Sequence, residues 1–182
     1  MATSKATTKN FYQSTVLPQL MEQFGFTNVN AVPRVKKVIV HVGTGNRDAK
    51  LVEAAEESLR RITGQQPVRT KSKKSISNFK LREGQVIGVK VTLRGKRMED
   101  FLQKLVHVTL PRVRDFQGLP TTIVDRTGNA SVGFKEHIAF PEISSDEVER
   151  LHGLEVVIDT TAKNHEEGVA LLKALGFPFQ TK

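Results

Sequence analysis

The sequence predicts an α+β protein with a mixed, largely antiparallel sheet. Helices pack mainly on one face, and the chain forms a single compact body with an extended basic loop. Three observations lead there. Apolar residues make up 38% of the 182 and charged residues 26%, without repeats or low-complexity tracts, so the chain can bury a sizeable core. Stretches of period-two alternation stand apart from stretches of helical period. One central connection reads as a polar loop instead of a helix.

The elements follow in order. Asn10 to Phe24 reads as a helix: Phe11, Leu17, Leu20, Met21 and Phe24 recur near helical spacing, Gly25 stops it, and Pro18 implies a kink or a later start. Val35 to Gly43 alternates as a strand, Val38, Val40 and Val42 to one side and Lys37, Ile39 and His41 to the other. Asp48 is placed to cap a helix reaching Thr63, with Leu51, Ala55, Leu59 and Ile62 on one stripe, acidic residues early, Arg60 and Arg61 late, and Gly64 after the end. Pro67 to Lys71 forms a short strand leading into an exposed loop that contains Gly84. Val86 to Arg94 is a second alternating strand, with Val89, Val91 and Leu93 inward and Lys90, Thr92 and Arg94 outward as a row of donors.

Lys96 to Leu110 carries Met98, Phe101, Leu102 and Leu105 on a helical stripe that is core, and Pro111 ends it. Gly118 to Gly133 is rich in Gly, Pro, Thr and Asn and reads as a loop with a hairpin turn at Gly128-Asn129. Ser145 to Leu151 is a short helix and Leu154 to Thr160 a third alternating strand. Asn164 and Glu167 give a near capping-box start to a last helix running through Leu175, closed by Gly176.

Charge is distributed unevenly. The net charge is +9, yet Arg60 to Arg114 holds fifteen basic and three acidic residues, while Glu142 to Lys182 holds four basic and eight acidic ones. The run Arg69 to Arg82 mixes cations with hydroxyls, an amide and one aromatic ring, groups that meet phosphate oxygens, ribose or a base face. RNA is the partner this favours over the plain alternative of a solvated face. A membrane surface is disfavoured, because the run lacks an amphipathic apolar stripe. The outward row Lys90, Thr92 and Arg94 is also placed to lie on RNA.

Other chemistry falls away. Zero Cys excludes disulfides, thiolate zinc sites and cysteine nucleophiles. The N-terminus has no apolar signal core and the chain no spanning apolar stretch, so an intracellular protein is expected. Gly43-Thr44-Gly45 stands where a dinucleotide loop would start, but the third glycine position is Asp48, whose carboxylate would repel a pyrophosphate; a strand-to-helix turn is the better reading. His41, His107, His137, His152 and His165 are scattered without metal spacing. Asp115, Asp125 and Asp159 are not forced together. No enzyme, metal site or cofactor is expected.

One long stretch carries a resemblance. Leu59-Arg60-Arg61-Ile62-Thr63-Gly64-Gln65-Gln66-Pro67-Val68-Arg69-Thr70-Lys71-Ser72-Lys73-Lys74-Ser75 resembles the signature of the large-subunit ribosomal protein five family, bacterial type, which binds 5S ribosomal RNA. Val32-Pro33-Arg34, Ser77 to Arg82, Val91 to Gly95, Pro111 to Phe116, Phe140 to Ile143, Thr160 to Ala162 and Gly176 to Phe179 resemble family blocks in the same order, from about Phe11 to Phe179.

The resemblance implies a cytoplasmic, ribosome-bound structural protein without catalysis. It implies docking of 5S rRNA onto the central protuberance beside large-subunit rRNA and neighbouring 5S-associated ribosomal proteins. It further implies contact with peptidyl-site tRNA and an intersubunit bridge to the small-subunit head protein numbered thirteen. Gln65 and Thr92 match 5S-contacting positions; Lys90 and Arg94, from the outward strand row, and His41, at a position where the family usually has Asn, are expected to bind 5S rRNA with them. Lys71, Lys73, Lys74, Ser75, Ser77, Asn78, Lys80 and Arg82 match the loop that reaches tRNA. Residues 1–84 then hold the 5S-binding region and the loop, and 85–182 form the C-terminal part of one compact unit. The alternative is a non-ribosomal RNA chaperone or an RNA-processing enzyme. Two positions depart from the family pattern: His41 stands where Asn is usual, and Asp125-Arg126-Thr127-Gly128-Asn129-Ala130 replaces Asp-Gly-Arg-Gly-Asn-Tyr, removing a ring at 130.

Overall fold

Alternating valines make the central strands. Val38, Val40 and Val42 are buried on β1 (Val35–Gly43), and Val89, Val91 and Leu93 are buried on β3 (Val86–Leu93). The computed structural model describes residues 11–45, 49–143 and 151–180. With β2 (Val68–Lys71), β4 (Ala130–Phe134) and β5 (Leu154–Thr160), these strands form an open antiparallel sheet in the order β2-β3-β1-β5-β4. The principal helices are α1 (Leu17–Phe24), α2 (Ala49–Thr63), α3 (Gly95–Lys104) and α4 (His165–Ala174), giving the α+β class expected.

The chain divides into two compact units. Met1–Val38, Arg94–Ser131 and Ile158–Lys182 form the first, whose core contains Val16, Leu20, Val32, Ala170 and Leu171, with Tyr12, Met21, Phe24 and Phe26 packed against it. Ile39–Leu93 and Val132–Val157 form the second, which holds α2, β2 and β3 entire.

Both prolines inside helical stretches act alike. A π turn spans Tyr12–Val16, closed by Leu17 N–H donating to the Tyr12 carbonyl, and Pro18 then sits in the first turn of α1. A second π turn spans Leu105–Thr109, closed by Leu110 N–H donating to the Leu105 carbonyl, with Pro111 in the following short turn Leu110–Arg112. Proline has no N–H for the carbonyl four residues back, so the helix widens ahead of it and restarts. The first case resolves as a later start of the α-helix. The second corrects the expectation that Pro111 ends the helix, which instead runs one residue past it.

For 118–133 the sequence predicts loop throughout, and β4 corrects this. Ala130, Val132 and Phe134 are buried in alternation, but the strand has five residues, contains Gly133 and lies at the sheet edge, so its local signal is weak. The turn before it is where the sequence placed it. Asp125 N–H donates to the Asn129 carbonyl (2.7 Å), and the Asp125 carboxylate accepts from Thr127 N–H, the Thr127 hydroxyl, Asn129 N–H and the Asn129 amide. Ala130, where the family pattern has a ring, is buried at the start of β4.

Within the described part of helix α2, Glu53, Glu56 and Glu57 precede Arg60 and Arg61, the order of charges expected. On α4, Glu167 accepts from Lys163 N–H (2.9 Å) in place of the Asn164 N–H of a capping box, and Asn164 makes no side-chain cap. The expected Asn10 start, Asp48 cap and Ser145–Leu151 helix rest on residues outside those described.

Candidate nucleic-acid interface

Strand register decides which side chains share a face. β2 and β3 pair antiparallel as Val68↔Lys90, Arg69↔Val89 and Thr70↔Gly88, with an irregularity between Thr70 and Lys71. Directly opposed residues point the same way, so Val68, Thr70, Gly88, Lys90 and, one step further, Thr92 lie on one face. Arg69 goes with buried Val89 to the other. There it meets α2: its Nη2 lies 2.8 Å from Glu56 Oε2 and its Nε donates to the same oxygen.

The cations therefore separate into two groups. Arg60 and Arg61 pair with Glu57 on α2, at 3.6 and 3.1 Å, and Arg69 pairs with Glu56. These three belong to the helix surface. Lys71, Lys73, Lys74, Arg82 and Lys90 are exposed and make no ion pair with any described residue. Arg94, Lys96, Arg97, Arg112 and Arg114 are likewise exposed, but they belong to the first unit. Arg94 lies past the end of β3 as the extended residue before α3.

The basic loop is a braced hairpin. Ser72 N–H donates to the Gln85 carbonyl (2.8 Å) and Gly84 N–H to the Ser72 carbonyl (3.0 Å). Ile76 and Leu81 exchange both backbone bonds, at 3.0 and 3.1 Å. The tip is a 3₁₀ turn, Ser77–Phe79, closed by Lys80 N–H on the Ser77 carbonyl (2.9 Å). Ser75 Oγ accepts Glu83 N–H (2.9 Å), which makes Ser75 a brace of the loop while its own proton remains to donate. Residues 73 to 80 are all exposed, including the expected Ser77, Asn78 and Lys80.

On the sheet face the structure brings Gln65 to Thr92. Gly64, with φ +64°, turns the chain out of α2, and the Thr63 hydroxyl accepts Gln65 N–H at 3.3 Å. Gln65 Nε2 then donates to the Thr92 carbonyl (3.2 Å), which orients the amide. The Thr92 hydroxyl and the His41 ring form no hydrogen bond with a described residue. Sequence reasoning missed Thr70 and Gly88. A Cβ on Gly88 would lie 3.1 Å from both His41 Nε2 and Thr70 Oγ1, so these polar groups flank bare backbone. Stepping back by two from Thr92 through Lys90 would have found Gly88; Thr70 needed the register.

Elsewhere the polar groups serve the fold. Thr44 and Gly45 N–H both donate to the Ile87 carbonyl at 3.0 Å, so these two amides of the glycine turn are used within the fold. Asp159 pairs with Lys37 at 3.1 Å, and Asp125 is engaged with its own turn. His137 and His152, scattered in sequence, are buried and stacked with ring centroids 4.0 Å apart. Among the described residues no three His, Asp or Glu stand together as metal ligands, and no helix is long and apolar enough to cross a membrane.

An α+β sheet with unpaired polar groups on one face and an exposed cationic hairpin at its edge describes a structural nucleic-acid-binding protein. Comparison with known proteins narrows the class. The family model of ribosomal protein L5 matches residues 28–82, and the model of the C-terminal part of the same ribosomal family matches residues 86–179. Large ribosomal subunit protein uL5 of Halothermothrix orenii is 51% identical over 92% of this chain and 95% of the relative. The proteins of that name from Microcystis aeruginosa and Streptococcus pyogenes are 49% and 53% identical, each over 94% of this chain and 97% or 96% of the relative. The chain belongs to the ribosomal protein L5 family. It is accordingly a structural protein of the large ribosomal subunit and not an enzyme.

Proposed function

We propose that this protein binds 5S rRNA through the sheet face bearing His41, Gln65, Lys90 and Thr92, with Arg94 beyond its end, and helps attach that RNA to the central protuberance. The β2–β3 loop, through Lys71, Lys73, Lys74, Ser75, Ser77, Asn78, Lys80 and Arg82, contacts peptidyl-site tRNA. A bridge to the small-subunit head protein numbered thirteen, and the division of labour between residues 1–84 and 85–182, rest on the family resemblance.

The observation that carries the RNA reading is the separation of charge. Arg60 and Arg61 share the Glu57 carboxylate and Arg69 pairs with Glu56, whereas the exposed Lys71, Lys73, Lys74, Arg82 and Lys90 have no acidic partner among the described residues. Unpaired cations on a braced hairpin neutralise phosphates and release counterions. Hydroxyl, imidazole and amide groups on a rigid strand face supply fit to a folded RNA shape.

The test measures 5S rRNA and tRNA binding side by side at matched salt. Thr92→Val keeps the shape and removes one hydroxyl, so 5S affinity should fall about fivefold with the melting temperature unchanged. Lys71, Lys73 and Lys74 replaced together by Ala should weaken tRNA contact more than 5S binding. Equal loss of both RNAs in the triple variant, or full 5S affinity in Thr92→Val, would refute this assignment of surfaces.

A further inference from the structure

We propose that Phe79, at the tip of the β2–β3 hairpin, is a stacking platform for an unstacked nucleobase of the RNA that the loop meets; the inference rests on the RNA reading of that loop. Phe79 is 67% exposed, more than any other large apolar side chain among the described residues. It is held in place by a strained backbone. Lys80, which follows it, has φ 51° and ψ 36°, a left-handed conformation that a residue with a Cβ adopts at a cost.

The turn beneath is rigid, because Ile76 and Leu81 close it with a pair of backbone bonds and Lys80 N–H caps the Ser77 carbonyl. The ring is therefore presented by a fixed scaffold. Its surroundings select the occupant. Lys73, Lys74, Lys80 and Arg82 are all exposed on the same hairpin, and burying them against an apolar protein pocket would cost desolvation. Next to a polyanion they are complementary to the phosphates, and a base offers the ring a π face whatever its identity.

The chain contains no Trp, so Phe79→Trp introduces a single indole reporter. This variant is titrated with an RNA hairpin bearing unpaired loop nucleotides, and with the same hairpin made abasic in the loop. Indole emission should be quenched by the first RNA and not by the second. Phe79→Leu should lower affinity for the base-bearing hairpin at least about fivefold, with no change in the slope of affinity against salt or in melting temperature. Equal quenching by the abasic RNA, or an affinity for Phe79→Leu equal to that of the parent chain, overturns the proposal. An equal loss of affinity for both hairpins also overturns it, since that would mean apolar contact without stacking. The underlying reading fails separately: Lys73→Ala with Lys74→Ala would then leave both RNA affinity and salt slope untouched.

Discussion

Gly88 shows how one missing side chain shapes the sheet face. A Cβ at this position would lie 2.7 Å from the Val42 carbonyl oxygen on β1, well inside contact distance, and that oxygen is backbone and cannot swing aside. Gly88→Ala should therefore destabilise the protein by about 1–3 kcal/mol, read as a lowered melting temperature. Gly133→Ala is the control: a Cβ there meets nothing within 4 Å, so stability should hold or rise slightly. Equal melting temperatures for the two variants would refute the account. Gln65 illustrates the converse, a side chain held still by its surroundings. The Thr63 hydroxyl accepts its backbone N–H and the Thr92 carbonyl accepts its side-chain amide, and an amide so held loses less entropy on meeting a partner.

At the scale of elements, the turn before β4 depends on one carboxylate. Burial acts to raise the Asp125 pKa, but hydrogen bonds from Asn129 and Thr127 outweigh it and hold the carboxyl below its ordinary value of 3.8. The sign follows: the ionised form is the one the fold prefers. Its contribution is complete above the unfolded pKa and is lost as pH falls through the folded one. Acid unfolding should show a loss of stability below about pH 4 that Asp125→Asn reduces. Identical acid limbs for the two proteins would contradict this. The turn also ties to β5, since the Thr160 hydroxyl donates to the Gly128 carbonyl (2.8 Å) and Thr160 N–H to Asn129 Oδ1 (3.0 Å). The paired π turns at Tyr12–Val16 and Leu105–Thr109 show that proline chemistry was legible as a disturbance, while its form was not. Whether a helix stops or widens depends on what packs on the far side, and Leu110 beyond the second π turn is buried.

For the whole molecule, net charge overstates what reaches a partner. The +9 includes arginines already paired with α2 carboxylates, so on the proposed reading the charge offered to RNA comes from the hairpin lysines and the outward strand residues. RNA affinity should fall linearly on a double-logarithmic salt plot. Replacing Lys71, Lys73 and Lys74 by Ala should flatten that slope by about two, whereas Arg60→Ala should leave it unchanged because that cation faces Glu57. A slope indifferent to the three lysines would remove them from the interface.

Local physics was readable without coordinates. The valine alternation of β1, β3 and β5, the apolar stripe of α3 and the exposed cationic loop depend on residues a few positions apart, whose periodicity states which side meets water. Only the tertiary structure decided that Arg69 faces Glu56, that Gln65 reaches Thr92, that Thr70 and His41 flank Gly88, that His137 stacks on His152, and that Ala130–Phe134 is a strand. Each joins positions far apart in the chain or depends on pairing to a neighbour. Which partner arrives is settled by strand register and burial of the whole chain, and no local pattern encodes it.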